Sequence, residues 1–252
     1  MKIKIITNPK KEWAIQLEKE LHAFFTQLNK GRESIKPTDA AFYRVVRRNA
    51  DLTICIGGDG TILYASHRKR LEGPVLAIGS ETSYICQVNK NNWRSELIPL
   101  IEKGNKIKIL TLNCEIGAKK YNALNDFVIH ATHYRVAEMH TTINSQPTIA
   151  FQGDGMIFST ALGSAAYAYS AGGEKLEPTE RKISVVPICP YKRAFIPSVL
   201  EENSTISVTV GSDCAFINDG IFVRSLRRGE IIKIEKGKYI EFFHGVGSEQ
   251  KV

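Results

Sequence analysis

Residues 52–68 constrain the fold of this chain more than any other segment. The apolar run Leu52–Ile56 predicts a buried strand, and residues 62–68 predict the first turns of a helix. Between them stands Gly57-Gly58-Asp59-Gly60-Thr61, whose glycines can reach positive φ and let the backbone approach a ligand closely. Because free N–H groups and the helix dipole favour an anion at a helix start, this unit predicts a phosphate site.

The unusual element of this loop is the carboxylate of Asp59. Phosphate oxygens would repel it, so its position makes chemical sense if it accepts a proton from an attacking hydroxyl or binds the Mg²⁺ on a nucleotide. The alternative is a simple strand-to-helix turn in which Asp59 caps the helix, since turn residues often cluster in this way.

Residues 1–103 alternate between strand and helix patterns. This alternation predicts parallel strands joined by right-handed crossovers, with ligands bound at the carboxyl ends of the strands, where Asp59 lies. The predicted strands are 2–7, 51–56 and 74–78, and the predicted helices are 11–28, 38–49, 61–70 and 92–103.

The pattern changes near residue 104. From there to residue 244 the chain consists mostly of short β-rich runs that alternate apolar and polar residues, with one alanine-rich helix over 163–171. We therefore predict a Rossmann-like α/β domain over residues 1–103, an all-β antiparallel sandwich over 104–244, and a frayed tail over 245–252.

The chain is basic, with a net charge of +8, and this charge attracts polyanions. Three arginine- and lysine-rich clusters contribute to it, and solvated surface is the commoner role of such clusters. They are Arg44/Arg47/Arg48, Arg68-Lys69-Arg70 and Arg224/Arg227/Arg228. Aromatic residues do not alternate with these cations as a single-strand binding surface would require, so no nucleic-acid partner is predicted.

Five widely separated cysteines, mostly inside apolar runs, predict reduced core thiols and a cytoplasmic protein. His130, His133 and His140 do not predict a metal site, because residues three apart in an extended segment point to opposite faces. No apolar run approaches the length of about 20 residues that a membrane span needs, so no membrane partner is predicted.

A second signature occupies residues 153–173, beginning Gly153-Asp154-Gly155 and ending Ser170-Ala171-Gly172-Gly173. Together with Asn125-Asp126, Pro187–Pro190 and Asn218-Asp219-Gly220, it resembles the pattern of the NAD kinase family in order and spacing from about residue 51 to residue 220. Diacylglycerol and sphingosine kinases share only the Gly-Gly-Asp-Gly-Thr loop.

The resemblance implies an NAD kinase-like two-domain fold and transfer of the γ-phosphoryl group of ATP to the 2′-hydroxyl on the adenosine ribose of NAD. Mg²⁺ is expected on the nucleotide because the negative charges of ATP must be screened. The resemblance also implies a homodimer or homotetramer. Asp59 would be the catalytic base, and Gly57, Gly58, Gly60 and Thr61 would hold the phosphates of ATP. The implied NAD-binding residues are Asp59, Gly60, Asn125, Asp126, Asp154, Ala165, Ala166, Tyr167 and Ser170.

The chain departs from the family pattern around the implied dinucleotide site. Ala161 stands where the family has proline, and Leu162 and Ala165 stand where it has threonine. The loop at residues 79–86 is also one residue shorter than the family pattern. Fewer hydrogen bonds to the dinucleotide are therefore expected. Two alternatives stay open, namely a lipid or other small-molecule kinase and a non-catalytic dinucleotide-binding regulator.

Overall fold

The computed structural model describes residues 1–32, 42–132 and 135–245. The chain forms two compact units: the first contains Met1–Lys108 and the chain from Ile240 onward, and the second contains Ile109–Tyr239. These bounds differ from the predicted 1–103 and 104–244, because the last strand ends beside Val75 through its residue Phe242. The predicted frayed tail lies outside the described residues from 246 onward.

The first unit contains a parallel sheet in the order β2-β1-β3-β4-β5. Its two central strands are buried at every position. A continuous apolar strand of this kind is typical of a parallel sheet that is covered on both faces. The strands are β1 (Lys2–Thr7), β2 (Arg44–Val45), β3 (Leu52–Ile56), β4 (Val75–Gly79) and β5 (Val88–Asn89).

Three helices belong to this unit: α1 (Glu12–Arg32), α2 (Asp59–His67) and α3 (Trp93–Lys103). Apolar side chains of α1 and α3, such as Leu21 and Leu97, are buried in one core with strand residues such as Ile54. This core explains the helical spacing of the apolar residues in these segments.

The predicted helix over residues 38–49 is wrong in its described part. Arg44–Val45 form strand β2, which pairs in parallel with Lys2 and Ile3 of β1. Residues 38–41 lie outside the described residues. The apolar spacing around Val45 and Val46 fits a helix locally, but pairing with β1 decides the conformation, since tertiary context overrides weak local preference.

The second unit is an antiparallel sandwich of two sheets. One sheet has the six-strand order β13-β12-β11-β8-β15-β16, and the other contains β10-β9-β14-β17 with β6 and β7. The strands are β6 (Lys106–Ile116), β7 (Lys119–Ala123), β8 (Asp126–Ala131), β9 (Ala137–Ile143), β10 (Ile149–Gly153), β11 (Gly155–Thr160), β12 (Lys182–Ile188), β13 (Ser198–Glu201), β14 (Ile206–Val210), β15 (Cys214–Asn218), β16 (Ile221–Leu226) and β17 (Ile231–Phe243).

Side chains from both sheets meet in one core, which includes Phe127, Phe158 and Phe216. Strand β14 alternates buried and half-buried positions, as expected for a strand with one face toward a core. The alanine-rich segment forms a 3₁₀ turn over Gly163–Ala165 and the short helix α4 (Tyr167–Ser170). The predicted fold class, an α/β region followed by a β-sandwich, is confirmed.

Candidate active site

The glycine loop of the first unit begins where β3 ends. Gly57 has φ 145°, and a Cβ there would lie 2.5 Å from the Thr61 hydroxyl oxygen and 2.6 Å from Cβ of Asn8. Only glycine therefore fits this position. The Asn8 side-chain amide donates a hydrogen bond to the Thr61 hydroxyl at 3.3 Å, which ties the end of β1 to the first turn of α2.

Asp59 is the first residue of α2, and its carboxylate is held by the backbone of a neighbouring loop. The N–H of Tyr84 donates to Oδ2 and the N–H of Ile85 donates to Oδ1, each at 2.9 Å. The Cys86 thiol donates to Oδ1 at 3.8 Å, and burial, with the adjacent Asp59 charge, raises the pKa of that thiol. The loop that departs from the family pattern thus fixes the orientation of the carboxylate.

The helix-capping alternative for Asp59 does not describe this geometry. Gly58, with φ 101°, occupies the cap position of α2, and no side-chain cap hydrogen bond is formed there. A carboxylate offers about four lone-pair sites, and the two N–H groups take one on each oxygen. Asp59 is half-buried, so the residue stays partly open to solvent.

Two lysines that were not singled out from the sequence lie beside the Trp13 ring, and one of them, Lys11, is also close to the glycine loop. Lys11 Nζ lies 3.4 Å from the point where a Cβ on Gly58 would be. The ammonium groups of Lys11 and Lys90 lie 5.6 and 5.5 Å from the Trp13 ring centroid. The apolar spacing of this segment does not indicate that Lys11 lies near the glycine loop, because that proximity depends on how α1 packs.

In the second unit, the segment Leu124–Asp126 is held by one carboxylate from a distant part of the sequence. Asp219 accepts hydrogen bonds from the N–H groups of Leu124 at 3.0 Å, Asn125 at 2.7 Å and Asp126 at 2.9 Å. The Asp219 side chain is buried, and the residue has φ 46°, in the left-handed region. Its N–H in turn donates to the Asp126 carbonyl.

The signature segment also contacts Leu124 and Asn125. The Thr160 hydroxyl donates to the Leu124 carbonyl at 2.7 Å and accepts from the Gly163 N–H at 3.0 Å. A Cβ on Gly163 would lie 2.3 Å from the Asn125 carbonyl oxygen, so this glycine permits a close backbone approach. Thr160 was also not singled out from the sequence, because its hydroxyl hydrogen-bonds to Leu124, a residue distant in the sequence.

Electrostatics group three of the predicted dinucleotide residues. Burial, with the nearby Asp219 charge, raises the pKa of Asp126 to about 7. Burial also raises the pKa of Tyr167, with further contributions from Cys189, Asp126 and Asp154. The charges of Asp126 and Asp154 therefore both act on the Tyr167 hydroxyl.

The residues that depart from the family pattern lie on both sides of Gly163. Ala161 and Leu162 are buried, so Leu162 contributes to packing. Ala165 is half-buried and Ala166 is exposed. The Ser170 hydroxyl is exposed and donates to the Ala166 carbonyl at 3.4 Å.

Among the residues that the structure describes, no three or more His, Cys, Asp and Glu side chains meet as a metal site would require. His133 lies outside those residues. Within them, no helix has both the length and the apolar character needed to cross a membrane.

The sequence comparisons identify the family. A family model for the ATP-NAD kinase C-terminal domain matches residues 124–244. An NAD kinase of Thermomicrobium roseum is 32% identical over 203 residues, which cover 77% of this chain and 70% of that protein. The chain belongs to the NAD kinase family. An NAD kinase of Prosthecochloris aestuarii is 27% identical, with coverage of 95% of this chain and 90% of the relative.

Solved structures of NAD kinase family proteins share the fold of this chain. Yeast NADH kinase complexed with NADH superposes with a TM-score of 0.81 and 21% identity, covering 99% of this chain and 85% of the other. An NAD kinase from Archaeoglobus fulgidus in complex with ATP superposes with a TM-score of 0.77 and 21% identity. The match covers 97% of this chain and 93% of the other. At these identities the likeness shows the fold alone.

Proposed function

We propose that this chain is an ATP-dependent NAD kinase, which transfers the γ-phosphoryl group of ATP to the 2′-hydroxyl on the adenosine ribose of NAD. Family membership supports the substrate pair, since relatives over most of the chain are named NAD kinase. Lipid kinases that share only the glycine loop are not favoured, because the family match extends through the β-rich residues 124–244.

The observation that carries the proposal is the position of the Asp59 carboxylate. It stands at the start of α2, beside a loop that a phosphate group can approach, and two backbone N–H groups fix its orientation. A regulator that only binds a dinucleotide would gain nothing from a carboxylate next to phosphates. A kinase gains a base that is held in place before the substrate arrives.

The transfer forms one bond, breaks one bond and moves one proton. The 2′-hydroxyl oxygen forms a bond to the γ-phosphorus, the bond from that phosphorus to the β–γ bridging oxygen breaks, and ADP leaves with the electron pair. Asp59 takes the hydroxyl proton. Gly57, Gly58, Gly60 and Thr61 hold the phosphates, and Lys11, close to Gly58, adds positive charge. Such transfers depend mainly on positioning and charge neutralisation.

Asn125, Asp126, Asp154, Ala165, Ala166, Tyr167 and Ser170 bind NAD in this proposal, together with Asp59 and Gly60. Asn125 supports it most directly: its side-chain Oδ1 is buried and has no hydrogen-bond partner among the described residues. An orphaned buried acceptor is costly unless a ligand or water satisfies it. Asp126, with its pKa near 7, can meet a ligand hydroxyl as a donor or as an acceptor.

Mg²⁺ enters as part of the MgATP substrate in this proposal, where it screens the phosphate charges. Carboxylates and substrate phosphates are the usual ligands of this ion. Because the described residues offer no cluster of three carboxylate, histidine or cysteine side chains, the protein is given no metal cage of its own.

A cytoplasmic location and a homodimer or homotetramer complete the proposal. All five cysteines are free, and four of them are buried, as expected in a reducing compartment. Edge strand β16 exposes Ile221 and Phe222, which are 47% and 61% accessible and could be covered in an oligomer. Light scattering on the eluting gel-filtration peak measures the subunit number directly.

The deciding experiment is a coupled assay. The pure protein is incubated with MgATP and NAD, and NADP is detected with an NADP-specific dehydrogenase. Formation of NADP that depends on both substrates is expected, and the Asp59→Asn variant serves as the matched inactive control. Absence of NADP from a folded wild-type protein, or equal turnover by the variant, would contradict the proposal.

A further inference from the structure

A large cleft in the first unit carries a concentration of positive charge that the proposed reaction does not use. Its volume is about 1060 Å³, at the upper end of the range for small-molecule sites. Five cationic side chains line it against two carboxylates, a formal excess of three positive charges. The lining cations are Lys4, Arg47, Arg48, Lys69 and Arg70, and the carboxylates are Glu18 and Glu72.

The cleft brings together two basic clusters that are separate in the sequence. Arg47 and Arg48 follow strand β2, whereas Lys69 and Arg70 follow helix α2. Most basic clusters spread over solvated surface, but these two converge on one concave site. The third cluster, at Arg224, Arg227 and Arg228, is not part of the lining, and Arg224 is already paired with Glu230 at 2.7 Å.

One cation of the cleft forms an ion pair, and the other four do not form one with any described residue. Lys4 pairs with Glu72 at 2.6 Å, and Glu72 also accepts from the Ala50 N–H at 2.8 Å. Within residues 1–32, 42–132 and 135–245, no ion pair neutralises the four lining cations of the two clusters. Because the positive charges outnumber the negative ones, they repel one another, and a bound polyanion would relieve that repulsion.

A polar atom also lacks a partner at this cleft. The hydroxyl oxygen of Thr7, a lining residue, is buried and makes no hydrogen bond to any described residue. Thr7 is the last residue of β1, and the carboxyl ends of parallel strands are the usual place for ligands in such sheets. A phosphate oxygen within reach would satisfy this hydroxyl as a hydrogen-bond acceptor.

We propose that this cleft binds a short polyphosphate chain at a site separate from the substrates of the kinase reaction. Among the described residues, no phenylalanine, tyrosine or tryptophan lines the cleft, and His22 is the one aromatic side chain that does. Stacking on aromatic rings is the main source of affinity for single-stranded nucleic acids beyond charge. The recognised chemistry is therefore the phosphate chain, whether free or attached to a nucleoside.

The test uses calorimetric titration of the full chain with sodium tripolyphosphate. The variants are Arg47→Gln/Arg70→Gln and, as an independent pair in case the first is unstable, Arg48→Gln/Lys69→Gln. The matched control is Arg227→Gln/Arg228→Gln, which removes the same charge from the second unit. Each cleft pair is expected to weaken tripolyphosphate binding by about tenfold or more, because each loses charge-assisted hydrogen bonds.

The kinase constants of the same proteins separate this site from the substrates. The cleft pairs are expected to keep kcat and both KM values within about twofold, because none of their residues is assigned to the reaction. A rise in the KM for ATP as large as the loss of tripolyphosphate affinity would overturn the separate site. Unchanged tripolyphosphate binding in the cleft pairs, or an equal loss in the control, would overturn it too.

Two further ligands define what the cleft recognises. GTP without metal is expected to bind within about threefold of tripolyphosphate, since no phenylalanine, tyrosine or tryptophan of the described residues lines the cleft to hold a base. GTP binding more than about tenfold tighter would overturn recognition through the phosphate chain alone. A single-stranded DNA oligonucleotide could instead bind more tightly than tripolyphosphate and lose this binding in the cleft pairs. That result would overturn the proposal and identify a nucleic acid as the ligand.

Discussion

The two units use the same structural device around two different carboxylates. Asp59 accepts the N–H groups of Tyr84 and Ile85, whereas Asp219 accepts those of Leu124, Asn125 and Asp126. Asp59 remains half-buried, but Asp219 is only 8% accessible. The difference fits the proposed roles, in which the first carboxylate acts as the base and the second holds the backbone of a segment that binds NAD.

The strongest test of this contrast is Asp59→Asn. The variant cannot accept the hydroxyl proton, so kcat is expected to fall by about 10²-fold or more. One N–H loses a good acceptor, which should cost about 1–3 kcal/mol of stability. Steady-state kinetics and thermal unfolding measure both effects. Near wild-type turnover in a folded variant would remove Asp59 from the chemistry.

Asp219→Asn probes the other carboxylate and should act mainly on stability and binding. Only one acceptor oxygen remains for three N–H groups, and each buried N–H left unsatisfied costs about 1–3 kcal/mol. The unfolding free energy is expected to fall by more than in Asp59→Asn, and the KM for NAD should rise more than kcat falls. If kcat fell as steeply as in Asp59→Asn, the division between a chemical and a structural carboxylate would be wrong.

The sequence displays the setting of Asp59 more plainly than the contacts of Asp219, and the catalytic role of Asp59 stays a prediction. Asp59 stands inside a short local pattern of strand, glycines and helix, and local patterns are visible in one sequence. Asp219 lies 93 residues from Asp126, so its three hydrogen bonds depend on how β8 and β15 pair. The weak match at Asn218-Asp219-Gly220 marked the place without revealing what the side chain holds.

Other differences have the same physical origin. Strand β2 forms because Arg44 and Val45 find β1, although their neighbours have helical spacing. Leu162 occupies a family threonine position and fills the core, which the sequence alone does not distinguish from a ligand-facing role. The strand-to-helix order of residues 1–103 and the β-rich runs after residue 104 were predictable, because hydrophobic period follows directly from burial.

The charge state of Asp126 gives a pH-dependent test of the binding segment. Its pKa is raised from 3.8 to about 7 in the folded protein, so the native state favours the protonated acid. The stabilising contribution is complete below about pH 4 and is lost as the pH rises through about 7.

Asp126→Asn stays neutral and carries no charge to bury at any of these pH values. The unfolding free energy of the variant minus that of the wild type is therefore expected to be larger at pH 8 than at pH 5. Urea unfolding of both proteins at both pH values measures this difference. A difference between the two proteins that does not change with pH would show that Asp126 titrates in an ordinary range.

Close backbone approach can be compared between the two loops with matched glycine substitutions. A Cβ on Gly163 would meet the Asn125 carbonyl at 2.3 Å, whereas a Cβ on Gly60 would meet nothing within 4 Å. Gly163→Ala is expected to cost about 1–3 kcal/mol of unfolding free energy through overpacking. Gly60→Ala should be nearly neutral or slightly stabilising, because alanine favours the helix. Equal effects would contradict the proposed tight contact at Gly163.

The smallest expected effect comes from Ala165→Thr, which restores a hydroxyl of the family signature. Ala165 is half-buried in the turn before α4 and next to exposed Ala166, so the added hydroxyl has room on its solvent side. If this face contacts the dinucleotide, one net hydrogen bond of about 0.5–1.5 kcal/mol should lower the KM for NAD several-fold. The melting temperature is expected to change little, and Ala168→Thr provides a buried control that should destabilise the fold. An unchanged KM and melting temperature in Ala165→Thr would show that residue 165 contacts neither the ligand nor the core. The turn would then hold Gly163 against Asn125 without contributing side chains to NAD binding.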